Sequence, residues 1–484
     1  MVCHHKTSLR SGEREGAEVR SPIRFDDSLP AFAGLVRTSW GDAAIVDNLF
    51  LRDASGRLTF VLVRGEHSAE ERINLASAAA AQLGAYVDGA GFSVATPDEL
   101  FGDNLSLSRA MTLQLNHELF RGAVHLIDRR MVGADWLRDP EPASSAPARI
   151  VFASLKGGVG RSTALCVLAA RLASRGQRVL AIDMDLEAPG LGNLLLPDGT
   201  LPEFGLLDYL VESELGTALG DQFFVDLVGP SWLGRGRGRV DVIPAIGETS
   251  LRFPVNVLAK IARAYLAGSS PSGEILTFSD HMRILVERFA DPVKYDAILL
   301  DARAGLHETT AAAVVGLGAE VLLFGLDQPQ TFAGFELLFA HLATLSANPD
   351  DSWQARLHVI QSEAPKDSRM RARFSERIGE LLARYVSRPQ SSIALAIDPS
   401  ELKDTFEVEW TEENANAVES LIGEEQLSPV VSIVDDDQFR AFDPVADRDV
   451  LEDQFYSSSF GQFLEMAEAI VASFAEQDRA ERSE

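Results

Sequence analysis

Cysteine is nearly absent: Cys3 and Cys166 are the only two in 484 residues. Two thiols exclude a disulfide framework, and they exclude the clusters that hold structural zinc or an iron–sulfur centre. A reducing cytoplasm is the expected compartment. Positive charge is also scarce, with 44 Lys and Arg against 72 Asp and Glu and a formal net charge of -28. Such a chain repels nucleic acid and anionic lipid unless its basic residues gather into a patch. No uninterrupted apolar run reaches the ~20 residues of a membrane helix. The opening MVCHHKTSLRSGEREGAEVR lacks the apolar core of a signal peptide, and its pair His4 and His5 reads as part of a tail. We therefore expect no membrane contact.

What is present is ordinary globular material, 46% hydrophobic and 24% charged, in a chain too long for one core. The clearest break is RDPEPASSAPA at 138–148, where three prolines and small residues interrupt any pattern; we expect a linker there. Before it, residues 1–137 read as a small α/β domain of unassigned role. Two strands flank an Asp-Ala-Ser-Gly turn, an Ala-rich helix covers Ala69 to Leu83, and a late strand lies near Ala123 to Asp128. After it, residues 149–484 alternate short apolar runs with helical patterns. The runs are Ile150 to Ala153, Val179 to Ile182, Ala297 to Leu300, Val321 to Phe324 and Leu357 to Ile360. That alternation predicts an α/β fold: a mostly parallel, doubly wound sheet covered by helices on both faces. A helical insert is expected around 363–429. Phe460, Phe463, Leu464, Ala467, Ile470, Val471 and Phe474 repeat at helical spacing and predict a closing amphipathic helix packed on the sheet.

The stretch RIVFASLKGGVGRSTALCVLAARLA places an apolar strand, a glycine-rich turn and a helix in direct succession. Gly157, Gly158 and Gly160 let the backbone curl with its N–H groups inward, Val159 completes the turn, and the helix starting near Arg161 adds its positive end. An anion belongs there, and the phosphates of a nucleotide fit. One strand later, Asp183 and Asp185 stand two residues apart at the mouth of the sheet, a spacing that suits a magnesium site and a residue that positions water.

The loop departs from the common G-x-x-x-x-G-K-[ST] form: Leu155 replaces the first glycine, and Lys156 stands early. In this it resembles the MinD/ParA family of ATPases and their deviant Walker motif. The resemblance runs as separated motifs over most of Arg149 to the C-terminus and leaves the N-terminal domain uncovered. It implies ATP and Mg²⁺ as ligands and an ATP-dependent homodimer, in which Lys156 reaches the partner subunit's nucleotide. It also implies that Ser162 ligates Mg²⁺, Thr163 contacts phosphate, Asp185 orients the attacking water and Asp183 holds the metal through its water shell. Arg161 stands where the family has its phosphate-binding lysine; its planar fork does not duplicate an ammonium's point contact. YDAILLDARAGLHETT resembles the Walker B and second switch, with Asp301 near Mg²⁺ and Gly305 offering its N–H to the terminal phosphate. Arg303 and His307 share that loop and are candidate sensors.

Ligands of such sheets lie beyond the carboxyl ends of the strands. That rule points to Gln361 and to Asp435 or Asp436 for the adenine and ribose. Lys366, Arg369, Arg371, Arg373, Arg377 and Arg384 share one helix candidate within Ser362 to Tyr385. We favour a salt-bridged helix face there over a nucleic-acid contact. GRGRGR at Gly234 to Arg239 reads as a loop able to meet an anion. The expected activity is a slowly hydrolysing ATP switch acting on protein partners, with a nucleotide-bound scaffold of little ATPase activity as the alternative. A nitrogenase-like reductase would need cluster cysteines, and a tyrosine kinase of this kind a tyrosine-rich tail in place of FAEQDRAERSE. The KGGVGR variant resembles a side branch associated with multi-component bacterial defence or signalling systems.

Overall fold

The computed structural model describes residues 23–88, 92–100, 105–130, 132–215, 219–233, 238–269, 275–345, 353–385, 430–440, 442 and 448–482. The chain divides into two compact units, Met1–Met131 and Val132–Glu484.

In the first unit, strands β1 (Leu49–Arg52) and β2 (Leu58–Val61) form an antiparallel hairpin. The Asp53 carboxylate organises its turn by accepting from the Ser55 and Arg57 amides at 2.8 and 2.9 Å, the local bonding that suits Asp to turns. With β3 (Val94–Ala95), β4 (Met111–Asn116) and β5 (Arg121–Asp128) the sheet runs β3-β2-β1-β5-β4. Helices α1 (Phe25–Trp40) and α2 (Ala69–Leu83) pack Phe32, Val36, Leu75 and Ala79 against Phe50, Phe60 and Val124. The α2 helix has its expected bounds because Ser68 and Glu71 form a reciprocal capping box. Helix α1 was not anticipated: it carries Pro30 within it, a residue that reads in sequence as a helix stop.

The second unit is built on an eight-stranded sheet. Its strands are β6 (Ala148–Ser154), β7 (Arg178–Asp183), β8 (Gly229–Pro230), β9 (Arg239–Ile243), β10 (Ala297–Ala304), β11 (Glu320–Gly325), β12 (Leu357–Ala364) and β13 (Val431–Val434). They lie in the order β13-β12-β11-β6-β10-β7-β9-β8, all parallel except for the short antiparallel β8. Every residue of β6 is buried, as expected of a central parallel strand covered on both faces. On one face Val151, Ala153, Ile298 and Leu300 meet α4 (Leu206–Glu214), α6 (Phe278–Phe289), α7 (Glu308–Val315), α8 (Pro329–Leu342) and α9 (Ser368–Tyr385), with α5 (Val257–Ala264) at its margin. On the other, Ile150, Phe152 and Leu299 meet α3 (Arg161–Ser174) and the closing helix α10 (Asp453–Glu481). The fold is therefore the doubly wound α/β architecture that the alternation predicts. Strand β9 was not anticipated, because its short run RVDVI carries a charge in mid-strand.

The proline-rich segment 138–148 lies inside the second unit and is bonded along its length. The Glu141 and Ser144 amides donate to the Val315 and Gly318 carbonyls, both at 2.9 Å. Just before it Trp136 is buried, and buried Asp135 accepts from the Ser279 amide at 3.0 Å. Arg138 grips Asp280 with both guanidinium ends at 2.8 Å. Of the expected insert 363–429, α9 is described and 386–429 lie outside the described residues, as do 234–237 of the GRGRGR stretch. The basic face of α9 is largely spoken for: Arg377 pairs with Asp327 and lies over Phe332, Arg384 pairs with Glu336, and Arg371 donates to two backbone carbonyls.

Burial by itself would raise the Asp280 carboxyl, but hydrogen bonds from Arg138 and the Thr277 amide, with the Arg138 charge, hold it well below the usual carboxylate range. A depressed carboxyl stabilises the fold above its unfolded pKa of about 3.9 and loses that contribution as pH falls toward the folded value. Asp280→Ala should lower stability by about 2 kcal/mol at pH 7 in urea titrations. The difference from the native chain should shrink below about pH 4.

Candidate functional site

Strand β6 ends at Ser154 and α3 begins at Arg161. Between them Gly158 and Gly160 take φ of 72° and 78°, backbone that side chains rarely adopt. A Cβ added at Gly157, Gly158 or Gly160 would meet no atom within 4 Å. The loop glycines thus face open space beside a helix N-terminus, where first-turn N–H groups lack helical partners. Ser154 Oγ donates to the Lys156 carbonyl at 2.8 Å and tightens the turn. Lys156 itself is exposed, its Nζ donating to Gln328 Oε1 at 2.9 Å.

Asp183 and Asp301 occupy paired positions on the neighbouring strands β7 and β10, and both are buried. Asp183 accepts from the amides of Asp185, Gly190 and Leu191 at 3.1, 2.9 and 3.0 Å. Burial and the nearby Asp301 charge nonetheless push its carboxyl up to about 7. Burial raises Asp301 as well, against the Arg161 charge and a hydrogen bond from Ser162. Ser162 Oγ donates to Asp301 Oδ2 at 2.5 Å, while Oδ1 is buried with no hydrogen-bond partner among the described residues. Asp185, half-buried, is raised by burial, an effect opposed by the Ala188 amide and the Arg161 and Arg303 charges. Two buried carboxylates beside a hydroxyl, one oxygen orphaned, are a donor set that fits a divalent cation. Among the described residues no three or more His, Cys, Asp or Glu side chains converge as a cage. A cation here would draw on one or two side chains and on phosphate oxygens, the pattern magnesium favours.

Strand β10 carries a bulge: Asp301 pairs with Phe152 but Ala304 with Ser154, leaving one extra residue between them. Bulges free backbone groups from the ladder and re-aim side chains. Here the guanidinium of buried Arg161 donates to the Ala302 carbonyl. The Gly305 amide, expected to face a phosphate, donates instead to the Ser154 carbonyl at 2.9 Å. Arg303 turns toward Glu187, its Nη1 2.7 Å from Oε1. The other Glu187 oxygen accepts from Tyr265 OH at 2.8 Å, and burial together with that bond pushes the Tyr265 phenol up, so it stays a donor. His307 lies edge-on to the Tyr265 ring and caps α7, accepting from the Thr309 amide. Glu187 and Tyr265 are the members of this cluster that sequence reasoning missed; 78 residues separate them, and no local motif joins them.

An open cleft of about 450 Å³ borders the loop at Val159, Gly160 and Thr163. It is lined also by Ser362 and Glu363 near the end of β12 and by Asp435, Asp436, Phe439 and Arg440 after β13. Strand β12 is also bulged, between Gln361 and Ala364, and Glu363 sits at φ 45°. Asp435 lines this cleft and pairs with Arg440, and Asp436 accepts from Ser459 Oγ at 2.8 Å. Gln361 does not line the cleft. It is fully buried in the sheet, accepting from Ser432 Oγ at 3.1 Å, because the bulge begins one residue later. Ser362, whose Oγ is buried with no partner among the described residues, lines the cleft instead.

A glycine loop between a parallel strand and a helix, facing an acidic pair at the carboxyl ends of the next strands, defines an α/β nucleotide-binding protein. The model of the CobQ/CobB/MinD/ParA nucleotide binding domain matches residues 150–481, and the chain belongs to that family. The fold is similar to the MinD cell division protein of Aquifex aeolicus, at 16% identity over 67% of this chain and 97% of that one, TM-score 0.37. It is similar also to the Pyrococcus furiosus cell division ATPase MinD, at 17% identity over 68% and 99%, TM-score 0.34. A third likeness is a putative plasmid partition protein of Borrelia burgdorferi B31 bound to AMPPNP, at 19% identity over 50% and 82%, TM-score 0.32. No curated protein matches the chain. Among the described residues no helix is long and apolar enough to cross a membrane.

Arg161→Ala removes the donor that satisfies the bulged Ala302 carbonyl and the charge that offsets Asp301. We expect a stability loss of about 1–3 kcal/mol in urea unfolding without nucleotide. Arg161→Lys should recover part of it.

Proposed function

We propose that this protein is a Mg²⁺-ATP-operated dimerisation switch that hydrolyses its nucleotide slowly and controls protein partners. The single observation that supports it best is the exposed glycine loop of Gly157, Gly158 and Gly160, close in the chain to Ser162, which donates to the half-orphaned Asp301 carboxylate. In this reading the loop amides and Thr163 hold the phosphates. Ser162 ligates Mg²⁺, and Asp183 and Asp301 hold the cation's water shell. The metal would supply charge neutralisation at the phosphates. Asp185 would orient the attacking water by accepting its hydrogen bond. The cleft bounded by Asp435 and Phe439 takes the base and ribose. Lys156 is exposed, hydrogen-bonded among the described residues to a neutral amide oxygen, and suited to reach a second subunit. Residues 1–137 or the insert 363–429 carry the output, toward partners in a multi-component bacterial defence or signalling system.

The anchored Arg161 favours a second reading, a nucleotide-bound scaffold with little turnover. An arginine committed to the Ala302 carbonyl is less free to follow charge developing on a transferring phosphoryl group.

Light scattering of the full chain separates these readings. With Mg²⁺ and ATP the native protein should shift from monomer to dimer, and Lys156→Ala should remain monomeric. Single-turnover hydrolysis should be measurable and should fall about a hundredfold or more in Asp185→Ala. Tight ATP binding with no turnover would leave the scaffold, and no binding would remove both.

A further inference from the structure

The loop that follows Asp301 contains an arginine that the phosphate site, as read above, does not use. Arg303 lies in the β10 bulge, two residues after Asp301 and two before Gly305, whose amide meets the end of β6. Its backbone is fixed, because Thr310 Oγ1 donates to the Arg303 carbonyl at 3.0 Å. Its side chain instead crosses to the loop after β7 and pairs with Glu187. The partners differ in what holds them. Glu187 has a second tether, since Tyr265 OH binds its other oxygen at 2.8 Å. The Arg303 guanidinium has Glu187 as its recorded side-chain partner.

The pair is about one third exposed on each side, 30% for Arg303 and 29% for Glu187. An ion pair so placed is worth at most about 1 kcal/mol. A terminal phosphate at the glycine loop offers more charge and a bidentate match to a guanidinium. The neighbouring Arg161 is otherwise engaged, on the Ala302 carbonyl. Arg303 also acts on Asp185 through its charge, which places it at the site's mouth.

We propose that Arg303 is a phosphate-sensing residue that leaves Glu187 for the terminal phosphate of a bound nucleoside triphosphate, with Glu187, held by Tyr265, as its resting partner. This assignment rests on the reading of the glycine loop as an ATP site. It makes the exchange of one ion pair the event that tells triphosphate from diphosphate, and it ties the loop after β7 to the loop after β10 in the diphosphate and empty states alone.

The test is the affinity of the full chain, with Mg²⁺, for AMPPNP and for ADP, read by fluorescence titration. The native protein should prefer AMPPNP. In Arg303→Ala the preference should fall about tenfold or more with ADP affinity unchanged, and Arg303→Lys should keep part of it. Glu187→Gln frees the arginine and should move the preference the opposite way. If Arg303→Ala and Glu187→Gln shift it in the same direction, the pair only braces the loops and the proposal is overturned. An unchanged preference in Arg303→Ala overturns it too. Should the native protein bind neither nucleotide, the ATP reading itself falls and takes this assignment with it. Thermal unfolding of each variant guards against a folding defect, and the lysine variant carries the test if the alanine variant does not fold.

Discussion

Two buried carboxylates face each other across neighbouring strands, and much of the second unit is arranged around that repulsion. The register of β7 on β10 puts Asp183 opposite Asp301, where like charges destabilise a sheet. Three backbone amides turn toward Asp183, Ser162 donates to Asp301, and the Arg161 charge offsets Asp301 further. These contacts leave Asp301 Oδ1 without a partner among the described residues and Asp183 pushed up to about 7. The cation proposed for this site would relieve the charge that the protein leaves uncompensated.

The sheet supplies the rest of the positioning. Covering both faces with helices buries the central strand β6 entirely and leaves the carboxyl ends of the strands as the place where polar groups gather. At those ends β10 and β12 each carry one extra residue. The first bulge releases the Ala302 carbonyl to Arg161 and points Arg303 at Glu187. The second brings Ser362 and Glu363 to the cleft and leaves Gln361 inside the sheet. Two local irregularities thus decide which side chains face a ligand.

The segment that leads into β6 is bonded to the same frame. Arg138 holds Asp280 at the start of α6, and Glu308, at the start of α7 and directly after the loop of Arg303 and Gly305, accepts from the Gly133 and Ala134 amides. What looks in sequence like a proline-rich spacer is part of the second unit, since its backbone groups find carbonyl and carboxylate partners there.

The sequence by itself determined what depends on neighbours along the chain. Alternating apolar runs set the parallel sheet, and the glycines after Ser154 set the loop. The boundaries of α2 follow from Ser68 and Glu71, and Asp183 and Asp301 follow from their places at strand ends. Tertiary structure decided what depends on pairing between distant segments. A bulge is a mismatch of two strands and has no signature in either alone, so the Arg161 contact, the Gly305 contact and the burial of Gln361 were not legible. The same holds for the cluster of Glu187, Tyr265 and Arg303, whose members reach one another only because α5, the loop after β7 and the end of β10 meet in the folded chain.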